Sequence, residues 1–269
     1  NKTGADNVAI GDAALDVNTG NKNTAIGTSA MGANTSGANN TAIGFEALLT
    51  NITGTSNTAI GIRAGKLTTG ADNTAIGGFS MENNSTGTNN TSIGSNAMLT
   101  TTTGSENTAI GFNSLYANLT GGSNTAIGRS ALQNQRGNFN IGVGRDAGNG
   151  VLGRVVSGSI SIGYQAGTLV SKNNVVSIGY QANSTAADTA FTNVVAIGTG
   201  VRPTANGQII LGDANGSYTQ LRSRNYTFNI DQTLGSGENG YVMAYNNSSG
   251  EFEAVATSSA LDAGYWKLG

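Results

Sequence analysis

The sequence predicts an all-β fold: a parallel β-solenoid (β-roll) with coils of about 17 residues, followed by a small C-terminal β-hairpin cap. Three observations lead to this prediction. The pentapeptide Asn-Thr-Ala-Ile-Gly, first complete at residues 23–27, recurs every 16 or 17 residues along the first half of the chain. Glycine accounts for 41 of the 269 residues, whereas proline occurs once. Isoleucine or valine returns at fixed places in each repeat, which distinguishes the chain from a disordered polar segment.

The closing glycine of the pentapeptide sets the period of the repeat. A period of 16 or 17 residues is too short for a helix–turn–helix unit and fits one coil of a solenoid. About thirteen coils stacked ~4.8 Å apart would give a rod on the order of 60 Å long. Residues 1–212 are therefore predicted to form the solenoid. The closing glycines are Gly11, Gly27, Gly44, Gly61, Gly77, Gly94, Gly111, Gly128 and Gly144, followed at looser spacing by Gly163, Gly179, Gly198 and Gly212.

Each coil is predicted to contain two short strands and two turns. Thr-Ala-Ile is a short β-branched strand, and the glycine after it supplies a corner with positive φ. The Ala-Leu pair that comes next in the repeat is expected to form the second strand. Asn-x-Thr-Gly, as at residues 51–54, has the composition of another turn. Each coil then buries its apolar residues only by stacking on its neighbours.

The Thr and Ile of each strand are predicted to face inward. Side chains alternate across a strand, so these two share one face and the Ala between them takes the other. Ile hardly varies, and Thr is replaced by Val or Ile, as at Val8 and Ile141, so we expect a core pair with Thr hydroxyls hydrogen-bonded along the stack. The Leu and Met residues of the Ala-Leu pair are also expected in the core. The strand residues assigned to the core are Thr24, Ile26, Ile43, Ile60, Ile76, Ile110 and Ile127.

The small residue in the middle of each strand is then predicted to lie outside, where a second copy of the solenoid approaches closely. The alternative is that small residues merely fit a tight coil. The residues predicted to form a trimer interface are Ala25, Ala42, Ala59, Ala75, Ala109 and Ala126.

The Asn that opens each pentapeptide is predicted to stack at a corner of the coil. Each side-chain amide would hydrogen-bond to the coil beside it and form an Asn ladder. A glycan-binding row of outward amides is the alternative. The predicted ladder consists of Asn23, Asn40, Asn57, Asn73, Asn90, Asn107 and Asn124.

Residues 213–269 differ in composition and are predicted to form a cap or attachment region. They hold five of the eight Tyr residues and the only Trp. The apolar segments 241–245 and 251–255 flank Asn-Asn-Ser-Ser-Gly, which indicates a β-hairpin. Such a hairpin could cap the last coil, and its aromatic residues could bind a glycan or another protein. The candidates for attachment are Tyr241, Tyr245, Phe252 and Trp266.

The sequence indicates no catalytic, cofactor-binding or metal-binding site. His and Cys are absent, which removes His-dependent nucleophilic catalysis and the usual zinc ligands. Residues 235–240 match Gly-x-Gly-x-x-Gly but precede a predicted strand, so a dinucleotide-binding interpretation fails. The net charge of -2 gives no reason to expect nucleic acid as a partner. No apolar run approaches the ~20 residues of a membrane span. We therefore predict that the protein is not an enzyme and does not insert into a membrane.

The repeat resembles two groups of fibrous proteins. Val-Ala-Ile-Gly at 8–11 and 195–198 resembles the head repeat of trimeric autotransporter adhesins of the YadA type. The longer run that begins at Asn40 and ends at Gly61 is similar to repeats in tail-fibre-like proteins of phages and of marine bacteria. The resemblance covers about residues 1–212. It implies a left-handed parallel β-roll, a homotrimer and binding to a host surface, although the coils of the adhesin family are usually shorter.

The predicted function is structural. We expect a rigid trimeric rod of a tail fibre or surface adhesin, extracellular, with further copies of itself and a cell-surface glycan or protein receptor as partners. One alternative is a secreted bacterial protein that polymerises end to end through its open coils. Another is an ice-binding solenoid with a flat outward Thr array, against which the Val and Ile substitutions at the Thr place argue. Because Asn1 falls inside a repeat, we expect the chain to be processed or part of a longer protein.

Overall fold

The chain consists of two compact units, Asn1–Thr219 and Gln220–Gly269. The first unit extends a little beyond the predicted solenoid boundary at residue 212. The computed structural model describes most of the first unit and two strands of the second, namely residues 4–168, 173–183, 191–203, 206–213, 241–246 and 251–256.

Thirteen strands of the first unit form one parallel sheet in chain order, so each strand hydrogen-bonds to the strands of the coils on either side. This arrangement confirms the predicted parallel β-solenoid. The strands are β1 (Val8–Ile10), β2 (Thr24–Ile26), β3 (Thr41–Ile43), β4 (Thr58–Ile60), β5 (Thr74–Ile76), β6 (Thr91–Ile93), β7 (Thr108–Ile110), β8 (Thr125–Ile127), β9 (Ile141–Val143), β10 (Ile160–Ile162), β11 (Val175–Ile178), β12 (Val194–Thr199) and β13 (Ile209–Asp213).

The register places equivalent residues of successive coils on top of one another. Between β3 and β4, Thr41 pairs with Thr58, and the Ala and Ile residues pair in the same way. The register survives the looser spacing of the last coils, since Gly198 still pairs with Gly212. The extra residues of those coils therefore lie outside the strands.

The closing glycines form the predicted corner with positive φ. Their φ angles lie between +124° and +145°, a region that residues with a side chain rarely adopt. A Cβ atom at Gly61 would also lie 2.7 Å from the carbonyl carbon of Gly77 in the next coil. Glycine is therefore required at this corner both by the backbone conformation and by the close approach of the next coil.

The Ala-Leu pair does not form the expected second strand. The Leu residue adopts a left-handed conformation, with φ of 49° at both Leu15 and Leu48, and the segment consists of consecutive turns. These turns also bond from coil to coil, as when the Leu48 N–H donates to the Ala64 carbonyl oxygen (3.1 Å). Glycine takes the same position with the same conformation at Gly65 and Gly148. Burial of Leu or Met in the other coils offsets the steric cost of the left-handed backbone.

The described part of the second unit is a β-hairpin. Strand β14 (Tyr241–Asn246) pairs antiparallel with β15 (Glu251–Ala256). The hairpin predicted around Asn-Asn-Ser-Ser-Gly is therefore confirmed. Within the residues described in the two units, no helix is long and apolar enough to cross a membrane.

Candidate functional site

The strand faces are the reverse of the sequence-based prediction. Ala25, Ala42 and Ala59 are fully buried in the core of the coils, where the side chains of Leu and Met residues accompany them. The outer face carries the residues that were assigned to the core. Thr24, Ile26 and Ile76 are half-buried there, and the others in that assignment are half-buried or exposed: Ile43, Ile60, Ile110 and Ile127.

The narrow interior of the coil explains the reversal. At β9 the middle residue is Gly142, and a Cβ atom there would already lie 2.7 Å from Cγ of Leu132. In the coils around β6, Ser92 hydrogen-bonds to Ser80 across the interior (2.8 Å), so the two sides of the coil nearly touch. The space between them holds Ala, Ser or Gly beside the larger Leu or Met, and alternation then places Ile outside.

The predicted trimer-interface residues consequently cannot form an interface between copies. Ala75 is 2% exposed, and the rest of the set is completely enclosed within its own chain. Their burial instead agrees with the alternative interpretation, that small residues fit the tight interior of the coil. The enclosed members are Ala25, Ala42, Ala59, Ala109 and Ala126.

The outer Thr–Ile face, defined as the first and third residues of β2–β8, is regular, and each of its residues is half-buried or exposed. The Ile residues of β3, β4, β6, β7 and β8 are each between 36% and 39% exposed. Within the described residues, none of the seven Thr hydroxyls makes a hydrogen bond, contrary to the expected bonding along the stack. The Thr residues are Thr24, Thr41, Thr58, Thr74, Thr91, Thr108 and Thr125. This face therefore offers methyl groups and free hydroxyls in parallel rows.

The Asn row that opens each strand lies inside the coil and is hydrogen-bonded throughout. The Asn40 N–H donates to Oδ1 of Asn23 (2.9 Å), and Asn40 Nδ2 donates to the Gly54 carbonyl oxygen (2.8 Å). The same pattern continues to Asn140, beyond the predicted members. The buried amides link each coil to its neighbour, which leaves no outward row for a glycan.

A second interior row of amides was missed by the sequence analysis. Asn18, Asn34 and Asn51 are completely buried at the start of the Asn-x-Thr-Gly turn. Asn34 Nδ2 donates to Oδ1 of Asn18 (2.7 Å) and to the carbonyl oxygen of Gly37 (3.0 Å). The regular return of Asn at the turn was the available signal, but turn propensity accounted for it equally well. One half of the interior is therefore polar and the other half apolar.

A row of Arg and Tyr side chains, which the sequence analysis did not identify, follows the corner glycines of four successive coils. The row consists of Arg129, Arg145, Tyr164 and Tyr180, and we call it the Arg–Tyr row. The Arg145 guanidinium lies 5.5 Å from the centre of the Tyr164 ring. The Tyr164 and Tyr180 rings stack with centres 5.2 Å apart and planes 16° apart. Arg145, Tyr164 and Tyr180 thus form a continuous stack of one cation and two rings within the row.

A separate ionic group lies on the coils of β3–β5. Arg63 contacts Glu82 at 2.6 Å and Glu46 at 3.5 Å, and Lys66 contacts Glu46 at 2.7 Å. The Arg63 guanidinium also lies 5.6 Å from the centre of the Phe79 ring. The two cations and two carboxylates neutralise one another, so this group stabilises neighbouring coils and presents no net charge to a ligand.

The predicted attachment residues lie where the structure describes no side chains. Tyr241, Tyr245 and Phe252 fall within β14 and β15, of which only the backbone pairing is described, and Trp266 lies outside the described residues. Their role in attachment stays a prediction.

Chemistry based on metal-ligand clusters finds no support in the described residues. No group of three or more Asp or Glu side chains there could hold a metal ion. No protein family model, curated protein or solved structure matches the chain. The outer Thr–Ile face and the Arg–Tyr row are the two regular surfaces on the described coils that could contact a partner.

Proposed function

We propose that this protein is a structural rod that associates with copies of itself through the outer Thr–Ile face and serves in attachment, as a tail fibre or surface adhesin does. One observation carries the proposal: the row of half-exposed Ile side chains that continues without interruption from β2 to β8. Extracellular location and attachment follow from the resemblance of the repeat to fibre proteins.

The extent of the face is compatible with an interaction surface. The seven strands lie ~4.8 Å apart, and the two outward residues of each strand lie about 7 Å apart, so the strip covers on the order of 200 Å². The outward Val and Ile residues of β1 and β9–β12 add a similar area. A patch of a few hundred Å² is of the size of the largest apolar patch on a typical monomer, and such patches are often functional. The face continues onto later strands through Ile141, Ile162 and Ile197, which are between 37% and 39% exposed.

A second copy of the same chain fits this face better than an unrelated protein. The rows repeat with the period of the coil, and another solenoid of this sequence has the same period. Parallel copies would therefore place Ile beside Ile or Thr along the whole length, without a mismatch that grows from coil to coil. A homotrimer about a common axis buries one such face from each copy.

Light scattering on the chain in solution tests the oligomeric state. The expected mass is three times the 27.0 kDa of one chain. Substituting Asp for Ile60, Ile93 and Ile110 together would place charges in the interface, and we expect this variant to be a folded monomer.

The matched control is Ile52→Asp, because Ile52 is 47% exposed but belongs to the turn and not to the outer face. That variant should remain a trimer. A wild-type chain that is monomeric at all concentrations would contradict the proposal, as would a trimer that the triple substitution leaves intact.

Ice binding is a second candidate function, and the outward position of Thr favours it. The inward assignment of Thr, which conflicts with an outward Thr array, is wrong, and the Val or Ile substitutions at this place fall outside β2–β8. Seven successive coils present a Thr hydroxyl and an Ile side chain in straight rows on a rigid sheet. Such an array can order water at its surface when no protein covers it.

Thermal hysteresis separates the two candidates. An ice-binding chain would be monomeric, depress the freezing point below the melting point, and lose that effect in Thr74→Leu but not in Thr53→Leu, which alters an exposed Thr of the turn. A self-associating rod would show no hysteresis, because its face is buried between copies.

A further inference from the structure

We propose that the Arg–Tyr row binds an acidic polysaccharide, a linear chain of sugars that carry carboxylate groups. The inference rests on the proposed attachment function and names the chemistry of the receptor. It moves recognition from the aromatic C-terminal region to the side of the solenoid, at the coils of β8–β11.

The row is held rigidly by the backbone. In the next coil, the Asp146 N–H donates to the Arg129 carbonyl oxygen (2.9 Å). One coil further on, the Gln165 N–H donates to the Arg145 carbonyl oxygen (2.9 Å). The Gln181 N–H donates to the Tyr164 carbonyl oxygen, and the Gly200 N–H donates to the Tyr180 carbonyl oxygen, both at 2.8 Å. Every member of the row is thus fixed to the following coil. A ligand would meet side chains whose anchoring points are already ordered, which lowers the entropy lost on binding.

The part of the chain that carries the Arg–Tyr row is more positively charged than the coils before it. Residues 127–167 contain four Arg and one Asp, whereas residues 4–126 contain three basic and seven acidic residues. Arg129 and Arg145 are both exposed. Among the described residues, Arg145 has one carboxylate partner, Asp146, which contacts its Nε at 3.3 Å, and Arg129 has none within ion-pair distance. The row therefore carries uncompensated positive charge that favours an anion.

The geometry fits a chain of sugars better than a single small anion. Each coil advances by ~4.8 Å, which is close to the length of one sugar residue in a linear polysaccharide. Arg guanidinium groups bind carboxylates through two parallel hydrogen bonds, so two Arg on neighbouring coils can meet carboxylates of successive sugars.

The remaining members of the row supply the contacts that a sugar ring uses. Tyr180 ends the stack and is 52% exposed, so its ring can pack against the apolar face of a sugar. Beside it, Gln181 Nε2 donates to Oε1 of Gln165 (2.9 Å), which places a pair of amides next to the two rings. Amide groups at the edge of an aromatic surface are suited to sugar hydroxyls.

The same position in the other coils shows that this combination is local. There the residue after the corner glycine is Asp12, Thr28, Phe45, Ile62, Gly78, Ser95, Phe112, Thr199 or Asp213, without a cation. Because the fold accepts Gly78 and Ser95 at this position, substitutions in the row should leave the solenoid folded. Binding can therefore be tested by mutation without loss of structure.

Calorimetric titration of the full chain with alginate, a linear polymer of uronic acids, tests the proposal. We expect binding to alginate that weakens with added salt, and no binding to neutral dextran. Arg145→Gln should weaken binding about tenfold, since it removes charge-assisted hydrogen bonds. Tyr180→Ala should weaken it about fivefold through loss of stacking. Circular dichroism of each variant confirms that it is folded.

The matched control is Arg154→Gln, which removes the same charge from an exposed Arg of the same coil as Arg145 but outside the row. It should bind alginate as the wild type does. Four results would overturn the proposal: no binding to alginate, equal binding to dextran, an equal loss in Arg154→Gln, or tighter binding to single-stranded DNA than to alginate. If the chain is trimeric but does not bind alginate, only the proposal of a polysaccharide site at the Arg–Tyr row is rejected. If the chain is monomeric but binds alginate, only the proposal of self-association is rejected.

Discussion

The inner and outer faces of the same strands differ in what decides their residues. From β1 to β12, the middle residue is Ala, Ser or Gly, and on β2–β8 it is almost completely buried. The outer positions hold Thr, Val or Ile, although solvent reaches them in the single chain. The inner residue is therefore selected by volume, because the two sides of the coil nearly touch. The outer residue is β-branched, as is common in strands, and its partly exposed apolar surface is what the proposed self-association would cover.

The difference between the faces also shows that equally regular repeats arise from different causes. The Ala row repeats because each coil has the same narrow interior. The Ile row repeats on the surface, where β-branched side chains suit a strand and where we propose contact with a second copy of the same period. The following changes test this distinction, beginning with the largest expected effect on the stability of the solenoid.

Replacing the corner glycine should be the most damaging change. Gly77→Ala would place a Cβ atom 2.7 Å from the Gly94 carbonyl carbon at a φ of 125°, and we expect a loss of more than about 3 kcal/mol in the free energy of unfolding. The neighbouring Gly78 has ordinary φ and open space around its Cα, so Gly78→Ala should be nearly neutral. Guanidinium denaturation followed by circular dichroism measures both, and similar values for the two variants would contradict the close stacking of the corners.

Enlarging the inner face should come next. Ala59→Leu adds three carbon atoms to a fully enclosed position, and overpacking of this kind costs about 3 kcal/mol. The matched change on the outer face, Ile60→Leu, should alter the free energy of unfolding by less than about 0.5 kcal/mol. Thermal unfolding of the two variants compares them directly. A neutral Ala59→Leu variant together with a destabilised Ile60→Leu variant would restore the original assignment of the faces.

Breaking the Asn row should have an intermediate effect. Asn90→Ala removes the acceptor for the Asn107 N–H and the donor to the Gly104 carbonyl oxygen, both inside the coil, for a loss of about 2 kcal/mol. The control is Asn83→Ala, since the Asn83 amide makes one hydrogen bond, to the Leu99 carbonyl oxygen, at a partly exposed position. In denaturant unfolding, the free energy of unfolding of Asn83→Ala should be about 1 kcal/mol higher than that of Asn90→Ala. The reverse order would mean that the interior amides are dispensable.

Changing the outer face should affect stability least and association most. Ile110→Thr removes apolar surface that is already partly in water, so the free energy of unfolding of the isolated chain should fall by less than about 1 kcal/mol. Sedimentation velocity should nevertheless show weaker self-association than in the wild type. An unchanged oligomer would indicate that the Ile row does not contribute to the contact between copies.

Much of the fold could be predicted from the sequence because it depends on local rules. The period, the corner at Gly61 and the register of Thr41 on Thr58 follow from spacing and from the unusual φ that glycine permits. The hairpin of β14 and β15 follows from turn composition between two apolar segments. The interior hydrogen bonds of Asn40 follow from the stacking of identical amides.

The candidate site was harder to predict because it depends on distances across the coil and between distant residues. Whether Ile60 or Ala59 faces inward depends on the gap between the two sides of the coil, which alternation alone does not specify. Tyr164 and Tyr180 are 16 positions apart in the chain and become neighbours only through the exact stacking distance of the coils. The left-handed backbone at Leu48 contradicts local propensity and belongs to a turn in which Glu46 is left-handed as well, while burial of the Leu48 side chain offsets part of the cost.

The sequence by itself determined the solenoid, the length of its coils and the alignment of its rows, since each depends on which residue recurs at which interval. Only the tertiary structure decided which side of each strand is enclosed and which side chains meet on the surface. The physical reason is that spacing along the chain sets the order of the contacts, whereas the width of the interior and the ~4.8 Å distance between coils set which side chains fit and touch.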